Sequence, residues 1–276
     1  MSGRWEPLGR ISPSALSDAR LSLHHAAQIV SAVGITHLPH AADDSHTNLG
    51  WADGALAGHP VPGERSFRAA IRPSGLTLLL LDAGTRTVAR QSLFGRTLDD
   101  GYAWMTEAIA QYTGAPARPL SRPPYELPEH PAFGGERFGS DSEPGLLEMT
   151  RWYADAERLL SETMPRFAGA SPVRCWPHHF DIAMLLPAGP DKSVGVGLSP
   201  GDGAYPQPYW YVSPYPYPKE PALAPLPSGG KWHRGDFFAA VLAGCDLVSG
   251  GPEGAQEARS RAFLEAAIEA CLGMLA

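Results

Sequence analysis

The chain has 276 residues, 43% of them hydrophobic and 18% charged, and carries a net charge of −7. That length suits one large domain or two small ones, and the apolar fraction excludes a disordered chain. The acidic balance excludes nucleic acid and anionic membrane surfaces as principal partners, because both demand a basic footprint.

Ser12-Pro13 places a capping residue before a proline suited to a first helical turn. Leu16, Leu23, Ala27 and Val30 then recur at helical spacing, and Gly34 is positioned to stop the helix. Residues 35 to 65 read as irregular, with a short strand expected within Thr47 to Ala52. Phe67 to Ile71, Leu76 to Leu81 and Thr87 to Leu93 read as three strands of a meander. Pro73-Ser74-Gly75 and Asp82-Ala83-Gly84-Thr85 supply the turns between them. Leu98 to Tyr112 predicts a second helix ending at Gly114, and residues 115 to 143 a proline-rich connector. Leu146, Met149, Tyr153, Ala156, Leu160 and Met164 form an amphipathic helical stripe. Strands are expected at Phe180 to Leu186, Val194 to Leu198, Tyr209 to Val212 and Asp236 to Leu242, before a last helix from Gly254 to Leu275. The expected class is therefore α+β: antiparallel meander sheets with packed helices. Two pseudo-similar helix–meander–helix halves, 12–114 and 144–276, would act as one compact unit spanning 1–276.

Glycine (30) and proline (28) are abundant but not periodic, which excludes collagen-like and solenoid architectures. The three cysteines, Cys175, Cys245 and Cys271, are widely spaced, so neither a zinc knuckle nor a disulfide framework is expected. Met1 to Glu6 holds no apolar signal-type run, and Leu76 to Leu81 is too short to span a bilayer. A cytoplasmic protein without a membrane partner is the expectation.

Several motifs dissolve on inspection. Gly197-Leu198-Ser199-Pro200-Gly201 matches the nucleophile elbow G-x-S-x-G, yet Pro200 has no N–H for an oxyanion and no helix-forming run follows. Gly229-Gly230-Lys231 lacks the upstream glycine of a phosphate loop and has Trp232 where Ser or Thr is required. The run from His37 to His46 holds His40, Asp43 and His46, which are metal-type ligands without a helical His pair. His178 and His179 read as neighbours on a strand facing opposite ways, with Asp181 on the His179 side. His24 and Gln28 lie one helical turn apart at the border of the apolar stripe. Tyr209, Tyr211, Ser213, Tyr215 and Tyr217 share a face if the chain stays extended. Pro214 and Pro216 forbid a central strand beyond about Val212.

Leu23-His24 with Gln28-Ile29-Val30, Ser171-Pro172-Val173, Phe180-Asp181-Ile182-Ala183, Pro200-Gly201-Asp202-Gly203 and the strip from Tyr211 to Pro218 together carry a resemblance. The pattern resembles an uncharacterised bacterial family known only as a domain of unknown function, over most of the chain. In that family His46 corresponds to a histidine opening a strand, while small residues stand at the positions of His178 and His179. The resemblance implies a fold and a shortlist of positions, and no activity.

The functional expectation is a cleft between halves that takes a small polar molecule, lined by His24, Gln28, His46, Asp181 and Tyr211. In a catalytic version His46 or His24 acts as general base and Asp181 as its paired carboxylate. Gln28, Tyr209, Tyr211 and His179 would contact the ligand. No cofactor is required by the sequence, although a divalent metal at His40, Asp43, His46 or His179 would allow hydrolysis. The alternative from another class is a non-catalytic module that assembles, including with itself, through the Tyr/Pro strip.

Overall fold

The computed structural model describes residues 4–219 and 223–276, so Met1–Gly3 of the N-terminal stretch lie outside the described residues. It is a mixed α+β protein with two antiparallel sheets. The chain divides into two compact units. The N-terminal unit comprises Asp18–Thr150 and Cys175–Phe180; the C-terminal unit comprises the described residues up to Ser17, then Arg151–Arg174 and those from Asp181 onward. The proline-rich segment 115–143 thus belongs to the N-terminal unit.

In the N-terminal unit, helix α1 (Ser17–His37) precedes a five-stranded meander in chain order. Its strands are β1 (Gly50–Ala52), β2 (Ala55–Ala57), β3 (Phe67–Arg72), β4 (Thr77–Asp82) and β5 (Thr87–Ser92). The β3–β4 turn needs left-handed backbone at Gly75 (φ 77°) and Leu76 (φ 41°). The β4–β5 turn is held by the Asp82 carboxylate, which accepts the amides of Gly84 and Arg86. Leu78, Leu79 and Leu80 of β4 are all buried, because both faces of this strand are covered. Leu79 packs with Ala55, Ala57 and Ala70 on one face. Helix α2 (Leu98–Thr113) packs on β4 and β5. Thr97 and Asp100 form a reciprocal capping box at its start, and Gly114 closes its end at φ 73°. Gly101 of α2 is where the helix meets Ile29 of α1 and Leu93: a Cβ there would lie 2.6 Å from Ile29.

Helix α3 (Glu143–Thr163) carries the chain from one unit to the other. Leu146, Met149, Tyr153, Ala156 and Leu160 of the expected stripe are all buried, joined by Trp152 and Leu159. The second sheet runs β10-β11-β9-β8-β7-β6. Its strands are β6 (Arg174–Trp176), β7 (Asp181–Gly189), β8 (Lys192–Ser199), β9 (Tyr209–Tyr215), β10 (Lys231–Arg234) and β11 (Phe238–Ala243). This sheet shares the meander of the first, from β6 to β9, but then places β11 beside β9 and β10 at the edge. A short helix α4 (Gly244–Ser249) leads to helix α5 (Gln256–Leu275), which packs on β9 and β8.

The sheet's two faces follow from alternation along β9. Trp210, Val212 and Pro214 are buried, and the Cys271 thiol of α5 donates to the Val212 carbonyl at 3.7 Å. The tyrosines take the other face. β9 pairs with β8 along its whole length but with β11 only from Tyr209 to Val212. Beyond Val212 it is an edge on the β11 side, which is where Pro214 can lack an N–H without breaking a ladder.

Candidate functional site

Helix α1 is buried on most of its surface from Ser22 to Gly34, so its polar side chains must find partners inside the protein. His24 and Gln28 converge on one acceptor. The carbonyl of Pro177 accepts Nε2–H of His24 at 2.8 Å and Nε2–H of Gln28 at 2.9 Å. A carbonyl can only accept, which places the His24 proton on Nε2. Burial lowers the His24 imidazole to about 4, against the bond to Pro177, which raises it; His25, Arg20 and His179 lower it further. Phe180 stacks on the His24 ring at 4.7 Å.

Gln28 is the better-determined of the two. Its second amide hydrogen goes to the His24 carbonyl at 3.0 Å, and its Oε1 accepts the Tyr125 hydroxyl at 2.7 Å. Both amide hydrogens are used, so the orientation of the group is fixed, and Oε1 keeps one lone pair to spare. The segment that brings Tyr125 there is strapped to α1 at two further points. His25 bonds the Pro128 carbonyl at 2.8 Å, and His130 lies 3.4 Å from both Asp18 and Ser22. Between this strap and helices α1 and α2 is a cavity of ≈ 500 Å³, lined by Gln28, Tyr125, Tyr102, Leu98, Leu127 and Phe133. Arg122, Glu126 and Glu129 complete its lining. Arg122 stacks on Tyr102 at 4.6 Å and is ion-paired with Asp99, which leaves the two glutamates to set the charge of the rim.

The other expected residues fall elsewhere. In the C-terminal unit the Tyr211 hydroxyl donates to Asp181 at 2.5 Å, and the Tyr209 hydroxyl to Asp202 at 2.6 Å. Burial, then the adjacent Asp181 charge, pushes the Tyr211 hydroxyl well above its ordinary range. Gly197 allows the first contact: a Cβ there would stand 2.9 Å from the Tyr211 ring that crosses β8 to reach β7. Tyr205 and His233 (3.1 Å) and His233 and Asp236 (3.1 Å) extend this polar row. Ser199 accepts the Gly201 amide at 3.1 Å in a local turn, and no helix follows it.

His178 and His179 are not on a strand. Residues 177 to 180 form a turn closed by the Phe180 amide on the Trp176 carbonyl at 2.6 Å, with Phe180 at φ 61°. The two rings therefore lie 4.3 Å apart instead of on opposite faces. Asp43 accepts the Ser45 amide at 3.1 Å, and it is Asp44 that stands beside His40 and His46. Of the expected cleft, His24, Gln28 and His46 belong to the N-terminal unit and Asp181 and Tyr211 to the C-terminal unit. The structure brings together the pairs His24–Gln28 and Asp181–Tyr211.

Tyr125, Glu126 and Glu129 escaped the sequence reading because they lie in a segment without periodicity. The available signal was a lone aromatic in a proline-rich run. No protein-family model matches the chain, and comparisons with curated proteins and with solved structures find no match. Among the described residues, no helix is long and apolar enough to cross a membrane.

Proposed function

We propose that this protein binds a small amphipathic cation in the cavity between Gln28 and the strap at Tyr125. The observation that carries the reading is the fixed Gln28 amide, buried at 1% exposure on the cavity lining with its oxygen on the Tyr125 side. A volume of ≈ 500 Å³ falls within the usual range for small-molecule sites. Gln28 Oε1 and Tyr125 Oη offer acceptors, so the ligand supplies donors. Tyr125 and Phe133 suit an apolar body or a cationic head over a ring face, since Tyr102 already carries Arg122. Glu126 and Glu129 select positive charge at the rim.

Isothermal titration against primary and quaternary ammonium compounds with short alkyl or aromatic bodies tests this, with the matching carboxylates as controls. The ammonium series is expected to bind, and a Glu126→Gln/Glu129→Gln double variant to weaken it about tenfold, or 1.4 kcal/mol. Equal binding of the carboxylates, or no binding across the panel, would remove the proposal.

A second reading, self-assembly through the Tyr/Pro strip, is favoured by one observation. Tyr215 (64% exposed), Tyr217 (53%) and Leu185 (52%) leave a large apolar area uncovered at one end of β7 and β9. Light scattering on a Leu185→Ser/Tyr215→Ser variant is expected to give a lower mass than the wild type in this reading. A monomeric wild type at high micromolar concentration rejects it.

A further inference from the structure

Separate from the cavity, we propose that His40, Asp44 and His46 form a binding site for one zinc-class divalent cation. Each offers one ligand atom, and the three atoms lie within 4.8 Å of one another. A single point therefore lies within about 2.8 Å of all three, against the 2.0–2.2 Å that zinc requires of imidazole nitrogen and carboxylate oxygen. Closing that gap asks less than an ångström of movement from each group. His40 and Asp44 have the freedom to supply it, since their side chains are 75% and 71% exposed.

The present contacts point to a shared ion more than to a direct bond. His40 Nδ1 and Asp44 Oδ1 stand 3.9 Å apart, beyond hydrogen-bond reach. The His40 and His46 rings meet edge to face at 5.1 Å. His46 Nδ1 accepts the Ala41 amide only at 3.3 Å. Either nitrogen of His46 could serve an ion by giving up that long bond, because a metal at Nε2 requires a proton on Nδ1. The backbone beneath is already closed. The amides of Asp44, Thr47 and Asn48 bond the carbonyls of Ala41, Asp44 and Ser45 at 2.9, 3.0 and 3.3 Å. Asp44 is held at φ 56°, a conformation that aspartate and asparagine tolerate better than most residues.

The donor set decides the class of ion. Two imidazoles and one carboxylate suit zinc and its neighbours, whereas magnesium and calcium want oxygen ligands throughout. Three protein ligands leave a fourth position for water or another small ligand.

The test uses the full chain, stripped with chelator and dialysed against zinc, with metal content measured by elemental analysis. Cobalt(II) absorption reports the coordination. One equivalent of zinc is expected in the wild type, with affinity at least about tenfold lower in His40→Ala and in Asp44→Asn. Asp43→Asn, adjacent and equal in charge change, is expected to retain the wild-type affinity. As a second measurement, zinc is expected to raise the thermal midpoint of the wild type and not of His40→Ala. Absence of zinc in the wild type overturns the proposal. So does undiminished zinc in His40→Ala, which would place the ion elsewhere, with the adjacent His178 and His179 the first place to look.

Discussion

Asp155→Asn is expected to remove a contribution of about 4 kcal/mol that protonated Asp155 alone makes to stability at pH 4 and loses as the pH rises to 8. Asp155 is 2% exposed; its Oδ1 accepts the Glu6 amide at 3.1 Å, while Oδ2 is buried with no hydrogen-bond partner among the described residues. Burial raises this carboxyl to about 7, and the Glu6 amide and the Arg158 guanidinium offset only part of that. The folded state therefore holds the proton up to about 7, while the unfolded chain releases it near 3.8. Between those values the native state binds more protons, so stability is greatest below the lower value and is lost as the pH climbs through the upper one. His24 works in the opposite sense. Its folded value of about 4 lies below the ordinary 6.5, so the unfolded state binds the extra proton and stability falls with acid by about 3 kcal/mol. If the chain unfolds as one, the two slopes nearly cancel between pH 4 and 6.5. Urea denaturation across pH 4 to 8 separates them. Asp155→Asn should expose the acid-side loss due to His24, and His24→Gln the alkaline-side loss due to Asp155. A profile for Asp155→Asn parallel to wild type would show that the carboxyl is ionised in the fold at neutral pH.

The parts of the fold that were legible in the sequence are those whose cause is local. The hairpins from Phe67 to Ser92 combine alternation with turn chemistry, and the helix read from Leu98 to Tyr112 ends at Gly114 as expected. β1 falls within the short strand read at Thr47 to Ala52, whereas the three-residue strands β2 and β6 are too short to carry a period, so only their partners define them. His178 and His179 show the same limit. Trp176 to Asp181 reads as extended, but Phe180 stacks on the His24 ring of a distant helix, and a turn results. Of the residues expected in a cleft between halves, only Gln28 lines this cavity. His24 and Gln28 stand out as polar groups on a buried helix, whereas Tyr125 gains its meaning only from the Gln28 oxygen it reaches across 97 positions. His40, Asp43 and His46 were grouped as metal-type ligands, but it is Asp44, one residue from the aspartate the sequence favoured, that stands beside the two histidines, because the turn points Asp43 at Ser45.

Gly34→Ala is expected to destabilise the protein by about 3 kcal/mol, at the upper end of ordinary overpacking. The sequence reads Gly34 as a helix stop, but α1 runs on to His37. The glycine serves a close approach instead. A Cβ at this position would lie 2.3 Å from the His46 carbonyl oxygen and 3.4 Å from the Thr47 Cα. Both are backbone atoms of a short helical turn, Ser45–Thr47, so no side chain can swing aside. Helix propensity works the other way, since alanine is favoured over glycine by up to about 1 kcal/mol in a helix interior. Gly273 of α5 isolates that gain, because beyond its own helix backbone no described residue lies within 4 Å of the Cβ it would acquire. Gly273→Ala should therefore be neutral or stabilising by a few tenths of a kcal/mol, up to about 1. Urea midpoints for the two variants, measured beside wild type, decide the matter. Opposite signs confirm that contact and not backbone freedom keeps glycine at position 34. A stabilised Gly34→Ala would mean that the loop carrying His46 yields at little cost, and that the approach of α1 to this loop is not what fixes it.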